Sequence, residues 1–143
     1  MLALENVEVV YDRAFLAIKG VSLVVPEGGA VALLGANGAG KSTTLKTISG
    51  LLGPERGEIT RGGVSFKGRP IGALGPPERV RMGIVHVLEG RRVFGHLTPQ
   101  ENLVAAASMH PSRKKVDELI EQVFTYFPRL KERGNAQAGY LSG

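Results

Sequence analysis

The order of apolar and polar residues divides the chain into a first part with short apolar runs and a last part with helical periodicity. In the first part the runs are short, contain β-branched residues and are bounded by turn-forming residues, which predicts strands. They cover residues 4–11, 21–25, 30–34, 58–60, 64–66 and 84–88. Because Gly62 and Gly63 separate the fourth and fifth runs, these two predict a hairpin. The last run predicts a buried strand, and residues 76–81 predict one short helix.

The last third of the chain has the signals of helices. Thr98, Pro99 and Glu101 form a capping-box pattern with proline at the first helical position, which predicts a helix through about Met109. Ser112 caps a second predicted helix, whose apolar residues recur at offsets 0, 3, 4, 7, 8 and 11. These are Val116, Leu119, Ile120, Val123, Phe124 and Phe127. The stripe predicts a helix face that packs on a core.

Length and composition indicate a globular protein. The chain has 143 residues, of which 43% are hydrophobic and 22% charged, enough for one domain with a core. It has no cysteine, which excludes disulfides and thiolate metal sites. No apolar run approaches the roughly 20 residues of a membrane helix, and the N-terminus lacks the basic region of a secretory signal. We therefore predict a cytoplasmic protein.

The net charge of +5 raises the question of nucleic acid. However, the basic residues fall in separate small groups without interleaved aromatic residues, a pattern that favours a solvated basic surface. We therefore predict no nucleic-acid partner.

Residues 35–42 read Gly-Ala-Asn-Gly-Ala-Gly-Lys-Ser, a complete G-x-x-x-x-G-K-S pattern. The pattern lies between the apolar run 30–34 and a helix-like stretch, 42–50, and a strand, a glycine loop and a helix are the context that this motif requires. Glycines let consecutive backbone N–H groups turn toward a polyphosphate. Lys41 would reach its β- and γ-phosphates, and the hydroxyl of Ser42 would bind Mg²⁺. The predicted nucleotide-binding residues of the loop are Gly35, Asn37, Gly38, Ala39, Gly40, Lys41, Ser42 and Thr43.

Over essentially its whole length the chain resembles the ATP-binding subunit of an ABC transporter. The G-K-S loop continues through Thr43 and Leu45 in the way that is usual for that family. The final residues, Leu141, Ser142 and Gly143, match the opening of its L-S-G-G-Q signature. The segment 89–94 reads Glu-Gly-Arg-Arg-Val-Phe, which is the wording of the branched-chain amino-acid importer type.

The resemblance implies roles for further residues. Tyr11 lies 24 residues before Gly35, where the family places an aromatic ring that stacks on adenine, and Phe15 is the competing ring. Glu89 stands where most members have the Q-loop glutamine, which implies that its carboxylate reaches Mg²⁺ or holds the attacking water. Arg91 and Arg92 either contact a membrane partner or are simply solvated.

The fold that the resemblance implies is α/β: a P-loop NTPase core of the ABC ATPase kind, with an N-terminal antiparallel β-subdomain and a helical subdomain. We expect residues 1–143 to form a partial ATP-binding domain, with the β-subdomain and core portion in 1–97 and the helical portion in 98–143. The C-terminal half is expected to be absent. The Walker B carboxylates, the catalytic glutamate and the switch histidine have no counterpart, and so this chain is predicted to bind ATP without turning it over.

The implied function is to couple ATP binding and hydrolysis to the import of branched-chain amino acids. The partners would be ATP with Mg²⁺, membrane-spanning permease subunits and a second ATP-binding subunit, at the inner face of the cell membrane. One alternative is a nucleic-acid-associated ATPase of the same superfamily. Another is a P-loop kinase of small molecules, which fits less well because 34 residues precede Gly35 and the terminal Leu-Ser-Gly is then unexplained.

Overall fold

The computed structural model describes residues 1–90 and 92–141. The chain forms two compact units, Met1–Val87 and Leu88–Gly143. The predicted division between residues 97 and 98 therefore falls inside the second unit.

The first unit is built on an antiparallel sheet. Its strands are β1 (Leu2–Tyr11), β2 (Phe15–Val25), β3 (Gly57–Phe66) and β4 (Arg69–Pro70), in the spatial order β2-β1-β3-β4. β1 contributes alternate side chains to the core, as a strand with one buried face does. The buried core residues are Leu4, Val7, Val9, Ile18, Leu52, Val64 and Ile71. The predicted strands 4–11 and 21–25 are thus confirmed as parts of β1 and β2.

The predicted hairpin at residues 58–66 is wrong, because β3 runs through it as one strand. β3 pairs with β1 on both sides of Gly62, with Glu5 opposite Gly63 and Glu8 opposite Arg61. Two residues of β1 therefore oppose one residue of β3, which is a β-bulge. Gly62 has φ +74°, and a Cβ there would collide with the carbonyl oxygen of Glu5. The glycine at position 62 serves this close approach rather than a turn.

Two helices of the first unit agree with their sequence signals. α1 (Lys41–Ser49) ends at Gly50, which has φ +78° and donates its N–H to the Lys46 carbonyl. This left-handed glycine is a common way to end a helix. A short 3-10 helix, Gly53–Glu55, follows. α2 (Pro76–Arg81) has the predicted bounds.

The apolar runs 30–34 and 84–88 were predicted to be strands, and in the structure neither is one. An apolar run becomes a strand only when a neighbour completes its hydrogen-bonded ladder. Within the described part of the chain, the only segments joined by ladders are the four strands β1, β2, β3 and β4. Leu34 and Val87 are each 90% exposed, so the expected burial of 84–88 is also wrong.

The second unit is helical. It contains α3 (Pro99–Ala106), α4 (Arg113–Tyr126), α5 (Pro128–Glu132) and a 3-10 helix, Ala138–Tyr140. The hydroxyl of Thr98 accepts a hydrogen bond from the Glu101 N–H, and Ser112 does the same for Lys115, so both predicted caps are confirmed. α3 ends three residues before Met109, because the chain closes into i→i+3 turns after Ala106.

The apolar stripe of α4 is only partly buried. Val116, Ile120 and Phe124 form a core, whereas Leu119 and Phe127 are exposed. The side chains packed against this core are Leu103, Val104, Ala107 and Leu130. This small set covers the centre of the stripe and leaves its margins in solvent. No helix in residues 1–90 or 92–141 combines the length and the apolar character needed to span a membrane.

Candidate functional site

The glycine loop lies directly before α1, and two of its glycines have left-handed backbone. Gly38 has φ +83° and Gly40 has φ +82°. A Cβ on Gly40 would collide with the Cγ2 of Ile18 and lie 3.1 Å from the Ala17 carbonyl oxygen, whereas a Cβ on Gly38 would meet open space. Gly40 is therefore required by the close approach of the loop to β2 as well as by its φ. Gly38 is required by φ alone, and its outer side is open.

The first turn of α1 leaves its backbone donors exposed to a ligand. The earliest α1 hydrogen bond runs from the Thr44 N–H to the Gly40 carbonyl, 2.8 Å. Gly40 is the N-cap and has no side chain that could cap the helix. Among the described residues, no backbone carbonyl accepts from the N–H groups of Lys41 or Ser42. Such amides carry the positive end of the helix dipole and fit an anion.

The ammonium group of Lys41 lies over the start of the same loop. Its Nζ donates to the carbonyl oxygens of Gly35 and Ala36, each at 2.7 Å. The side chain is half-buried, so its single positive charge is held at the loop and not in bulk solvent. A phosphate at the open helix end would therefore meet both amide donors and this cation.

Magnesium fits this site when it arrives with phosphate oxygens. Among residues 1–90 and 92–141 there is no group of three or more His, Asp or Glu that could hold a metal ion. Ser42 is exposed and offers one neutral hydroxyl oxygen. Because Mg²⁺ keeps several waters and is bound through few protein oxygens plus substrate phosphates, this single ligand suits it.

The two candidate adenine platforms differ in exposure. Tyr11 is half-buried at the end of β1 and packs against the core. Its ring also lies against Gly57, where a Cβ would be 2.7 Å from Cε1. Phe15 begins β2 and is 67% exposed. Both rings belong to the first unit, as does the loop, and part of the Tyr11 ring is used for packing.

The other predicted site residues belong to the second unit. Glu89 is exposed in a turn, and its carbonyl accepts a hydrogen bond from Arg92 Nε at 3.4 Å. Leu141 follows the last 3-10 helix, and the Leu141 N–H donates to the Ala138 carbonyl oxygen. Arg91, Ser142 and Gly143 lie outside the described residues. The roles proposed for them stay predictions.

Sequence reasoning missed two polar residues that are buried or half-buried around α1. Arg79 is only 2% exposed and donates to four backbone carbonyls. Burial lowers the pKa of its guanidinium. His86 is half-buried, with Nδ1 2.7 Å from the Ser49 hydroxyl. Thr47 and Ile48, which accept from Arg79, and Ser49, which contacts His86, lie more than thirty residues away, so no local pattern could have identified these contacts.

In the second unit, Asn102 organises the segment that follows Glu89. Its Oδ1 accepts from the Phe94 N–H at 2.8 Å, and its Nδ2 donates to the Phe94 and Thr98 carbonyls, each at 3.0 Å. Beside it is a cleft of about 620 Å³. The apolar side chains lining this cleft include Phe94, Leu103, Leu130 and Leu141.

Comparison with known proteins agrees with this geometry. Residues 18–143 match the family described as ABC transporter, and the chain belongs to that family. It is 38% identical over its full length to the high-affinity branched-chain amino acid transport ATP-binding protein BraG of Pseudomonas aeruginosa, of which it spans 58%. It is also 39% identical, over 76% of its length and 30% of the relative, to the sulfate/thiosulfate import ATP-binding protein CysA of Mycobacterium bovis.

A solved structure shows the same fold. It is the ADP conformation of an ATP-binding cassette of an ABC transporter, 29% identical, with a TM-score of 0.75 over the whole of this chain and 59% of that one. The α/β fold expected from the sequence, that of the N-terminal part of such a cassette, is therefore confirmed.

Proposed function

We propose that the chain binds Mg·ATP as part of an ATPase that drives the import of branched-chain amino acids. The observation that carries this proposal is the geometry of the glycine loop. The start of α1 is uncapped at Gly40, and the Lys41 ammonium lies on the same loop, at the Gly35 carbonyl. Phosphoryl transfer requires little covalent chemistry from the protein, only positioning and stabilisation of charge.

Gly38, Lys41, Ser42 and the first turn of α1 each have a part in the proposed binding. The N–H groups of the first turn of α1 hold phosphate oxygens, and Gly38 leaves the space that those oxygens need. Lys41 adds a cation after exchanging its bonds to Gly35 and Ala36 for bonds to phosphate. Ser42 would hold Mg²⁺ through its hydroxyl, and the metal would supply positive charge that offsets the charge of the phosphates. Glu89 is the proposed further ligand or water-holding residue.

The proposal for the cargo depends on the second unit. The glycine loop does not distinguish cargoes, because importers of different cargo share it. The likeness to BraG covers the whole chain, including the Glu-Gly-Arg-Arg-Val-Phe segment, whereas the likeness to CysA covers 76% of it. The proposed membrane-spanning partners would contact the second unit at its apolar cleft, flanked by Arg92. A second ATP-binding subunit would complete the proposed transporter complex on the cytoplasmic face of the membrane.

Calorimetry with Mg·ATP tests the proposed nucleotide site. The wild-type chain should bind, Lys41→Ala should lose most of the affinity, and Lys19→Ala should bind like wild type because Lys19 is an exposed lysine on β2. Equal affinities for the wild type and Lys41→Ala would remove Lys41 from the site. Absence of binding by the wild type would overturn the proposal.

Co-purification tests the cargo. The chain should associate with the permease subunits of a branched-chain amino-acid importer in detergent, and less with those of a sulfate importer. Phe94→Ala, in the cleft, should weaken that association, while the exposed Tyr126→Ala on α4 should not. Preference for the sulfate permease would contradict the proposed cargo.

A further inference from the structure

Arg79 is a buried cation that the proposed binding mechanism does not use. It lies on α2, and its guanidinium is directed at backbone oxygens from two parts of the chain. Nε donates to the Leu74 carbonyl at 2.8 Å, and Nη2 to the Gly72 carbonyl at 3.2 Å. Nη1 donates to the carbonyls of Thr47 at 2.6 Å and Ile48 at 2.8 Å. One planar group thus ties the connection before α2 to the end of α1.

The two α1 carbonyls are among those that a helix cannot satisfy internally. The last four carbonyls of any α-helix have no intrahelical partner. In α1 the Lys46 carbonyl is taken by the N–H groups of Gly50 and Leu51, and Arg79 supplies donors for the next two. A positive charge at this end also complements the helix dipole. Within residues 1–90 and 92–141, Arg79 is in no ion pair with a carboxylate, and so the carbonyl dipoles are what stabilise it.

The turn that ends α1 is shaped around this guanidinium. A Cβ on Gly50 would lie 3.0 Å from Arg79 Nε and 3.2 Å from Cζ. The same turn requires φ +78°. At nine residues, α1 is about 13 Å long. Because the helix is a single rigid rod, fixing its end at Thr47 and Ile48 also fixes the direction of its start at Lys41.

We propose that Arg79 is a positioning residue, which sets the orientation of α1 and hence of the phosphate-binding loop. Its guanidinium binds backbone carbonyls, and it acts through the far end of the helix that carries Lys41 and Ser42. The inference rests on the proposed function insofar as it predicts an effect on nucleotide affinity, and its effect on α1 itself can be measured without nucleotide.

Arg79→Lys is the informative variant. It keeps the charge but loses the planar fork whose donors reach both Thr47 and Leu74. The matched control is Arg81→Lys, the same substitution at an exposed position on the same helix. A second control, Val64→Ala, removes a buried core side chain from β3 and lowers stability without touching Arg79.

Affinity and hydrogen exchange are the two measurements. Arg79→Lys should weaken Mg·ATP binding about tenfold, which corresponds to about 1.4 kcal/mol, while both controls keep the wild-type dissociation constant at a temperature where all are folded. Without nucleotide, Arg79→Lys should speed amide exchange selectively in α1. In Val64→Ala, exchange should rise across the sheet instead.

Chemical rescue separates positioning from general damage. The pocket beside Arg79, about 420 Å³ and also lined by Thr47, Gly50 and Gly72, is open enough for a small cation. Methylguanidinium at millimolar concentration should restore slow α1 exchange and binding to Arg79→Ala, and methylammonium should not. If Arg79→Ala does not fold, Arg79→Lys still decides.

Wild-type affinity together with wild-type α1 exchange in Arg79→Lys would overturn the inference. If the wild-type chain itself binds no Mg·ATP, the proposed function fails, and unchanged α1 exchange in Arg79→Lys would then overturn the inference separately.

Discussion

The backbone N–H of Gly139 donates to the carbonyl oxygen of Gly95 at 3.0 Å, and the two glycines approach closely. A Cβ on Gly139 would lie 3.1 Å from that oxygen. The neighbouring N–H of Ala138 donates to the Leu97 carbonyl at 2.8 Å. The segment that follows Glu89 is thereby held against the turn that leads to Leu141.

Gly139→Ala should weaken the contact between Gly139 and Gly95. Its Cβ would push the Gly95 carbonyl by a few tenths of an ångström, and we expect a loss of about 1 kcal/mol in the free energy of unfolding of the second unit. Faster amide exchange at Ala138 and position 139 measures it. Gly53→Ala is the control, because a Cβ there meets nothing within 4 Å. Equal exchange in the two variants would show that the approach is not tight.

The loop glycines should differ in what they tolerate. Gly38→Ala and Gly40→Ala both place alanine at positive φ, which costs about 1–2 kcal/mol, but only Gly40→Ala also collides with Ile18. Mg·ATP affinity should therefore fall further for Gly40→Ala. Adding Ile18→Ala should return it to the level of Gly38→Ala, once the effect of Ile18→Ala alone is subtracted in a double-mutant cycle. Strict additivity would contradict the steric explanation.

Tyr11→Ala should weaken ATP and GTP by similar amounts, about 1–3 kcal/mol, because every base offers a face for stacking. Tyr11→Phe should keep the affinity, since it keeps the ring. The half-buried ring also supports the core, and so each comparison needs a temperature at which every variant is folded. If Phe15→Ala weakens binding and Tyr11→Ala does not, Phe15 is the platform.

The capping box of α3 should give the second unit an acid-sensitive helix start. Hydrogen bonds from the Thr98 N–H and hydroxyl lower the pKa of Glu101 in the folded chain. Its contribution is therefore complete above the usual carboxyl range and is lost as the pH falls through the lowered pKa. Amide exchange or NMR shifts of α3 between pH 6 and 2 report this loss. Glu101→Gln should remove this pH dependence of α3. Glu27→Gln, in an exposed turn of the first unit, should leave the pH dependence unchanged.

Signals that act within a few residues were readable from the sequence. The loop, the glycine end of α1, the bounds of α2 and the caps Thr98 and Ser112 all depend on neighbours along the chain. Gly62 was misread because its partner is β1, more than fifty residues earlier. Residues 30–34 were predicted to be a strand because they are apolar, but composition alone does not show whether a neighbouring strand is present to pair with the segment and bury it. Arg79 gave no signal, since its role depends on carbonyls about thirty residues away.

The two unpaired apolar runs make protein concentration a variable in every experiment on this chain. Leu34 and Val87 stand in solvent on backbone that no ladder in the described chain completes, and such backbone pairs readily with another copy. Any association that covers one run changes the population that meets nucleotide, by mass action. The apparent dissociation constant for Mg·ATP should therefore change with the protein concentration in the calorimeter. Light scattering over the same dilution series should show the association that causes the change.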